Sequence, residues 1–390
     1  MRSEQVSGDE SLATAPVSSA RRVHVPALDG MRGIGILAVM VIHFARVDPG
    51  GFGVHAEWKA AVDVAAFALP MFFVLSGFLI TGILLETREK PHYFRNFYVR
   101  RALRILPLYY GVLALLFVVH PSWGRGLGGT SSPLWLWTYV ANFEMARRGH
   151  CTYAFLCHFW SLTVEEQYYL VWPLIVFALR PRRLLAICAI LGVASVILRI
   201  AFTFVWHNSA AAYVLTPCQL DPLCAGGALA VLVRKRSLLD LRVVARFAVS
   251  ISVAAFFLLR WYKQPMMSRQ VVVGGPLLLC FLVGGIILLA IGESGFFRAV
   301  LGTRPLTFLG KYSYGLYVFH SPLMPFLDRC FPRSDLGRAL GSPRAGLAVS
   351  VLMSITATLV VAIASFELVE KRFLRLKAWF GGREERGVKT

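Results

Sequence analysis

Two ionisable residues stand near the ends of the first long apolar run, which reads LDGMRGIGILAVMVIHF over residues 28–44. Arg32 and His43 are separated by roughly three helical turns plus 20°, so on an α-helix they share one face, about 16 Å apart along the axis. A guanidinium binds anions, and a neutral imidazole accepts a proton near physiological pH. Inside a membrane such groups are costly and normally face a protein interior or a wet cavity. The run therefore predicts a polar seam with a cation at one end and an imidazole at the other, which is either a general base or a histidine bonded to a backbone carbonyl in a tight bundle.

The composition of the chain is that of a membrane protein. It is 57% hydrophobic and 16% charged, with a mean hydropathy of +0.62, whereas about a quarter of the residues of a soluble domain are charged. Apolar runs recur along almost the whole sequence and leave no room for a large soluble domain. The net charge of +20 is explained by membrane topology, so nucleic acid is not an expected partner.

The apolar runs predict an all-α, polytopic transmembrane helical bundle of about ten spans. A transmembrane helix needs about 20 apolar residues, so the shorter runs must extend into polar flanks. Residues 133–144, rich in aromatic side chains, fit an interfacial or re-entrant segment better than a span. The predicted spans cover residues 28–47, 60–85, 103–119, 160–179, 184–205, 217–233, 247–259, 271–291, 312–327 and 345–369.

Basic residues predict the orientation. With the N-terminus inside, about two thirds of the 41 Lys and Arg residues fall on the cytoplasmic side, as the positive-inside rule requires. Both termini are then cytoplasmic, and the protein is expected in the bacterial inner membrane. We predict a disordered N-terminal tail (1–24), a membrane domain (25–373) and a basic C-terminal tail (374–390).

The cysteines do not define the fold. Cys151 and Cys157 lie in a long outer loop, where an oxidising compartment would allow a disulfide bond, and the sequence leaves that pairing open. Together with His150 and His158 they lack the spacing of a metal site, so no metal is expected.

Five motifs occur in order along the chain: the run at 28–44, FFVLSGFLIT (72–81), FYVRRALRILPLYY (97–110), FWSLTVEEQYYLVWPLI (159–175) and YSYGLYVFHSPL (312–323). Together they resemble the bacterial acyltransferase-3 family of integral membrane O-acyltransferases. The resemblance implies transfer of an acyl group, usually acetyl from cytoplasmic acetyl-CoA, to a hydroxyl of a glycan or related molecule. No soluble esterase-like domain is expected after the last span.

The resemblance also assigns site residues. The family's motif positions fall on Arg32, His43, Arg101, Arg104, Trp160, Ser161, Leu162, Glu165, Tyr317 and His320. Two departures stand out. Leu69 and Pro70 replace a Val-Asp pair that often precedes the second motif, and Gln219 replaces an Arg that usually precedes Asp221. Asp221 is therefore expected to lack its usual partner and is only a possible site residue.

Each assignment has a functional and a structural interpretation. His43 is the expected base and Glu165 its orienting partner, as in catalytic triads, although a carboxylate near a helix N-terminus also stabilises the helix by itself. Arg101 and Arg104 share one helical face and suit the phosphates of CoA, although basic clusters also fix topology. Tyr317 and His320 have a helix-packing alternative.

Two classes of function stay open at this point. The first is an O-acyltransferase that uses acetyl-CoA or another acyl-CoA and a hydroxyl-bearing acceptor such as a glycan, a lipid-linked sugar or a secondary metabolite. The second is a transporter or flippase that uses the seam between Arg32 and His43 as a path. The sequence does not fix the acyl chain, the acceptor or the oligomeric state.

Overall fold

The computed structural model of the chain describes residues 25–45, 68–261, 269–292 and 295–380. Helices and turns make up these residues, with no β-strand among them, which confirms the predicted all-α class. In chain order the α-helices are α1 (Pro26–Phe44), α2 (Ala68–Thr87), α3 (Tyr93–Ala114), α4 (Pro121–Gly128), α5 (Leu134–Trp137), α6 (Ala141–Arg148), α7 (Phe159–Ala178), α8 (Pro181–Ile200), α9 (Ser209–Val214), α10 (Leu220–Lys235), α11 (Leu238–Trp261), α12 (Arg269–Ile291), α13 (Phe296–Leu301), α14 (Arg304–Cys330), α15 (Arg333–Ala339), α16 (Pro343–Ser365) and α17 (Lys371–Leu376).

Ten long helices coincide with the ten predicted spans. In the described part of the chain, eight helices are long and apolar enough to cross a membrane. The other two, α7 and α14, have 20 and 27 residues but a more polar composition. These two helices carry the WSL…E and YxxH motifs, so their polar residues belong to the candidate site. The cytoplasmic placement of both termini stays a prediction.

The helix boundaries differ most from the predicted spans where charged residues precede an apolar run. The third span was predicted to begin at residue 103, whereas α3 begins at Tyr93. Hydropathy identifies only the part of a helix that lies in the apolar core of the membrane. Backbone hydrogen bonds can continue the same helix into the polar residues before it. Arg101 and Arg104 therefore lie two to three turns inside α3, on a rigid element.

Glycines allow the central helices to approach closely. A methyl group on Gly310 of α14 would lie 1.9 Å from the Asp29 carbonyl oxygen of α1, and one on Gly33 would lie 2.1 Å from the Leu306 oxygen. Each distance is far below van der Waals contact, so only glycine permits the observed separation of α1 and α14. The α2–α10 contact has the same basis at Gly77, where a methyl group would lie 1.9 Å from the Leu223 oxygen.

A buried ion pair joins α8 to α10 and corrects the expectation for Asp221. Arg199 Nη1 and Nη2 lie 2.6 and 2.7 Å from the two carboxylate oxygens of Asp221, and Ser195 donates to the same carboxylate at 3.0 Å. The expected lack of a partner was wrong, because a cation from α8 fills the role that Gln219 cannot fill. A buried carboxylate needs such a counter-charge, so Asp221 has a structural function.

The segment between α3 and α7 folds into a compact loop. Residues 133–144 form α5 and the start of α6, so they are not a span. Cys151 and Cys157 form a disulfide bond with Cα atoms 5.9 Å apart. Glu144 accepts hydrogen bonds from Arg147 and Arg148 at 2.8–3.0 Å, and these guanidiniums lower the pKa of its carboxyl to about 2. Ion pairs and a covalent bridge thus hold the loop above α7.

The chain ends are partly described. The predicted N-terminal tail, residues 1–24, lies outside the described residues, as does 381–390. Residues 371–380 continue from α16 as α17 and a short 3-10 turn, and they pack against the start of α3. There the Arg95 guanidinium lies 6.0 Å from the ring centre of Phe380.

We expect Gly310→Ala to lower thermal stability, because the added methyl group must push α1 and α14 apart. Overpacking of this kind costs about 1–3 kcal/mol. Gly111→Ala is the matched control, since nothing lies within 4 Å of a methyl group at that helical glycine and alanine favours a helix by about 0.5–1 kcal/mol. Thermal unfolding in detergent measures both variants. A Gly310→Ala protein as stable as Gly111→Ala would contradict the tight α1–α14 contact.

Candidate active site

A cavity with about 830 Å³ of empty volume lies between α1, α2, α3, α7 and α14. Seven of the motif residues assigned from the sequence line it, together with five polar residues that were given no role in the predicted site. The motif residues are Arg32, Arg101, Arg104, Ser161, Leu162, Glu165 and Tyr317; the additional polar ones are Ser76, Glu166, Tyr169, Ser313 and Tyr314. Residues far apart in sequence thus converge at one place.

Three arginines give the cavity a positive wall. Arg32 comes from α1 and is paired with Asp29 at 2.9 Å, while Arg101 and Arg104 come from α3. Within the described residues, neither Arg101 nor Arg104 has an ion-pair or hydrogen-bond partner. Guanidiniums without a protein counter-ion bind oxyanions well, and phosphate oxygens match their paired N–H groups.

Glu165 is hydrogen-bonded to Ser76 and not to His43. Its Oε1 accepts a hydrogen bond from the Ser76 hydroxyl at 2.5 Å, and the Tyr169 hydroxyl donates to Ser76 at 3.0 Å. The Tyr169 ring lies 5.2 Å from the Arg101 guanidinium carbon, a cation–π distance. The expected bond between Glu165 and His43 is not formed. Glu165 positions Arg101 through Ser76 and Tyr169.

His43 pairs with His320 in place of the glutamate. Nδ1 of His43 lies 2.6 Å from Nε2 of His320, and the two ring planes differ by 6° with centroids 4.8 Å apart. These values place the two nitrogens between the ring centres, in a hydrogen bond along the ring planes. His320 is fully buried, and its Nδ1 lies 2.6 Å from the Tyr317 carbonyl oxygen.

The hydrogen-bond partners fix the tautomers of the neutral rings. A carbonyl oxygen only accepts, so Nδ1 of His320 carries a proton and its Nε2 holds the lone pair. That lone pair requires a proton on Nδ1 of His43. Nε2 is then the basic nitrogen of His43. A histidine oriented in this way is a suitable general base.

Tyr317 links the histidine pair to the cavity. Its carbonyl oxygen binds His320, and its hydroxyl lies 2.5 Å from Ser161 Oγ at the cavity wall. Trp160 does not line the cavity. Its buried indole packs edge-on against Phe73 at 6.3 Å and against Tyr213 at 4.8 Å, so it supports the start of α7.

One acidic residue of the cavity was given no role in the sequence analysis. Glu166 lines the cavity, and its Oε1 is buried without a hydrogen-bond partner among the described residues. The signal available was its place beside Glu165 in the WSLTVEE motif. Among the described residues, no group of three or more His, Cys, Asp and Glu side chains has a metal-binding arrangement.

Comparison with protein families agrees with the site. Residues 25–366 match the acyltransferase domain family Acyl_transf_3. The chain belongs to the acyltransferase-3 family. The match covers all the motif residues, from Arg32 to His320, and confirms the resemblance drawn from the five motifs.

Several curated relatives are similar to this acyltransferase-3 chain. It is 27% identical to peptidoglycan O-acetyltransferase OatA of Listeria monocytogenes, over 90% of this chain and 56% of the relative. It is 25% identical to O-acetyltransferase OatA of Staphylococcus aureus, over 80% and 53%, and 26% identical to the putative peptidoglycan O-acetyltransferase YrhL of Bacillus subtilis, over 89% and 54%. The chain thus spans about half the length of these relatives. No solved structure matches it.

The tautomers of the histidine pair can be measured directly. Nitrogen-15 NMR of histidine-labelled protein at neutral pH should find Nδ1 protonated and Nε2 unprotonated in both His43 and His320. The reason is that the Tyr317 carbonyl oxygen accepts from Nδ1 of His320, whose Nε2 then accepts from Nδ1 of His43. His43→Gln and His320→Gln proteins assign the signals. A His320 ring protonated on Nε2 alone would contradict the proposed order of donors.

Proposed function

We propose that this protein is a membrane O-acetyltransferase that moves an acetyl group from acetyl-CoA to a hydroxyl of a glycan. One observation carries the proposal: three arginines line a single cavity. Tyr317, which lines the same cavity, is hydrogen-bonded to His320 of the His43–His320 pair. A site of this kind offers an anion clamp at one part and a base at another, which are the two features that acyl transfer from a phosphorylated carrier needs.

The arginine wall suits the donor. CoA carries a 3′-phosphate and a pyrophosphate, so it needs several cations to bind. Arg104 is exposed and Arg101 and Arg32 are half-buried, an arrangement that would lead a phosphorylated ligand from the surface into the cavity.

His43 would act as the general base. Its Nε2 takes the proton of the acceptor hydroxyl while the hydroxyl oxygen forms a bond to the thioester carbonyl carbon. The carbon–sulfur bond then breaks, and the proton passes to the leaving thiolate, which gives free CoA and an O-acetyl ester. His320 positions the base, since its Nε2 accepts from Nδ1 of His43 and stabilises the imidazolium that forms.

The other assigned residues would have supporting roles. Glu165 holds Tyr169 under Arg101 and thereby orients part of the anion clamp. Ser161 and Tyr317, whose hydroxyl oxygens lie 2.5 Å apart at the cavity wall, would line the path from the arginine wall to the histidine pair. We assign Asp221 and Trp160 no contact with the substrates.

The names of the relatives support a glycan acceptor. Two of them carry peptidoglycan O-acetyltransferase in their names, so we propose a glycan hydroxyl as the acceptor. With the predicted orientation, His43 lies toward the outer side of the bacterial inner membrane, where such glycans are found, and the arginines lie toward the cytoplasm, which supplies CoA.

Acetyl transfer in reconstituted vesicles tests the proposal. Wild-type protein should transfer label from radiolabelled acetyl-CoA to soluble oligosaccharide fragments of peptidoglycan, and His43→Ala should lower the rate at least about 100-fold, because general-base catalysis contributes about 10²–10⁴-fold. His150→Ala is the control, an exposed loop histidine that should keep the wild-type rate. Equal rates in wild type and His43→Ala would exclude His43 as the base.

Binding of CoA tests the arginine wall separately. Arg101→Ala and Arg104→Ala should each raise the Kd for CoA at least about tenfold, since a charge-assisted hydrogen bond contributes about 1.5–3 kcal/mol. Arg182→Ala, at an exposed position at the start of α8, should leave the Kd unchanged. Calorimetry in detergent gives these values. A wild-type protein without affinity for CoA would favour the transporter alternative.

A further inference from the structure

A third histidine lies beside the catalytic pair without a hydrogen-bond partner. The side chain of His158 is 6% exposed, yet neither Nδ1 nor Nε2 forms a hydrogen bond. A buried imidazole without partners is unfavourable, because both its donor and its acceptor have lost water. Buried polar atoms left in this state mark places where a ligand supplies the missing partner.

The position of His158 is firmly set. The residue follows the disulfide-bonded Cys157 and directly precedes α7. Its carbonyl oxygen accepts hydrogen bonds from the Tyr317 hydroxyl at 2.9 Å and from Ser161 Oγ at 3.1 Å. The backbone of His158 therefore holds the two hydroxyls that stand at the cavity wall.

The ring of His158 packs against the catalytic pair. Its centroid lies 4.6 Å from that of His320, with the planes at 63°, and 5.2 Å from that of Tyr317. The His158 ring contacts the His320 ring, which in turn contacts the His43 ring. His158 thus lies at the histidine end of the site, whereas the unpaired arginines line the cavity wall on α3.

The groups around the His158 ring determine whether its unpaired nitrogen needs a donor or an acceptor. The backbone carbonyls of Phe155, Tyr317 and Val318 face the ring, but none of them forms a hydrogen bond of normal geometry with it, and all three can only accept. The Val318 oxygen has no helical amide donor, because Pro322 stands four residues later in α14. The neutral ring directs its one N–H toward these oxygens and keeps a lone pair on the other nitrogen. That nitrogen needs a donor.

We propose that His158 binds the acceptor by accepting a hydrogen bond from one of its hydroxyl groups. The inference rests on the proposed function and names the residue that holds the sugar beside His43. A hydroxyl-rich glycan supplies the donor that the second ring nitrogen lacks. The phosphates that the arginine wall would hold offer this nitrogen no donor, and His158 adjoins the histidine pair and not the arginines, so we assign it to the acceptor and not to CoA.

The test separates acceptor binding from donor binding. The rate of acetyl transfer is measured against the concentration of peptidoglycan oligosaccharide at saturating acetyl-CoA, and the Kd for CoA is measured on the same samples. His158→Phe keeps the aromatic packing but removes both nitrogens. It should raise the KM for the oligosaccharide about three- to tenfold, which is the effect of losing one uncharged hydrogen bond, with an unchanged Kd for CoA.

Conservative variants and a control complete the design. His158→Asn and His158→Gln restore an acceptor oxygen near Nδ1 or Nε2, and at least one should bring the KM back toward the wild-type value. His150→Phe, an exposed histidine of the same loop, should have the wild-type KM. If His158→Phe does not fold, the Asn and Gln variants, compared with each other, still report a KM that depends on the acceptor oxygen.

Three outcomes would overturn the inference. One is a wild-type KM for the oligosaccharide in His158→Phe. Another is a loss of CoA affinity equal to the loss of oligosaccharide affinity, which would mean a structural role. The third is an increased KM that neither Asn nor Gln corrects. Failure of the proposed function has a different signature, namely wild-type protein that neither binds CoA nor transfers acetyl groups.

Discussion

The close approach of α1 and α14 is the constraint on which the site depends. Glycines at positions 33 and 310 remove the side chains that would separate the two helices. Because the helices are in backbone contact at one end, His43 and His320 meet at the other with their nitrogens 2.6 Å apart. In a membrane, where apolar side chains gain little by leaving lipid, such close packing is a main source of helix association. The pairing of His43 with His320 is therefore a product of helix packing.

Charge distribution divides the site into two functional parts. Arg101 and Arg104 have no ion-pair partner among the described residues, while Arg199 and Asp221 neutralise each other away from the cavity. The chain thus places compensated charges where they stabilise helix contacts and uncompensated cations where an anionic ligand would bind. Glu165 and Glu166 line the same cavity.

Much of the fold was predictable from the sequence because its signals are strong and local. Apolar runs of span length gave the ten helices, and two arginines three residues apart on α3 were expected on one face and do line one cavity. The partners of buried charges were less predictable. Arg199 lies 22 residues before Asp221 on another helix, and no periodicity links them. Glu165 was assigned to His43 because both were expected at the same depth, but packing of α2 against α7 brings Ser76 to it instead.

The histidines illustrate the same limit. His320 had a motif and a buried position, yet its contact with His43 depends on the glycine-mediated approach of α1 and α14. His158 has no periodic signal, since it precedes α7 in a loop that the Cys151–Cys157 disulfide and the Glu144 ion pairs hold in place. Side chains brought together by tertiary contacts are found from structure, whereas side chains on one helical face are found from spacing.

The most direct test of the account is a cryo-electron microscopy structure of the full chain with bound CoA. The central claim is that one cavity holds the donor by its phosphates and directs its sulfur to the histidine pair. The account predicts phosphate oxygens within hydrogen-bond distance of Arg101 and Arg104 and a thiol directed toward His43. CoA bound away from α3, or with its thiol directed away from His43, would contradict it.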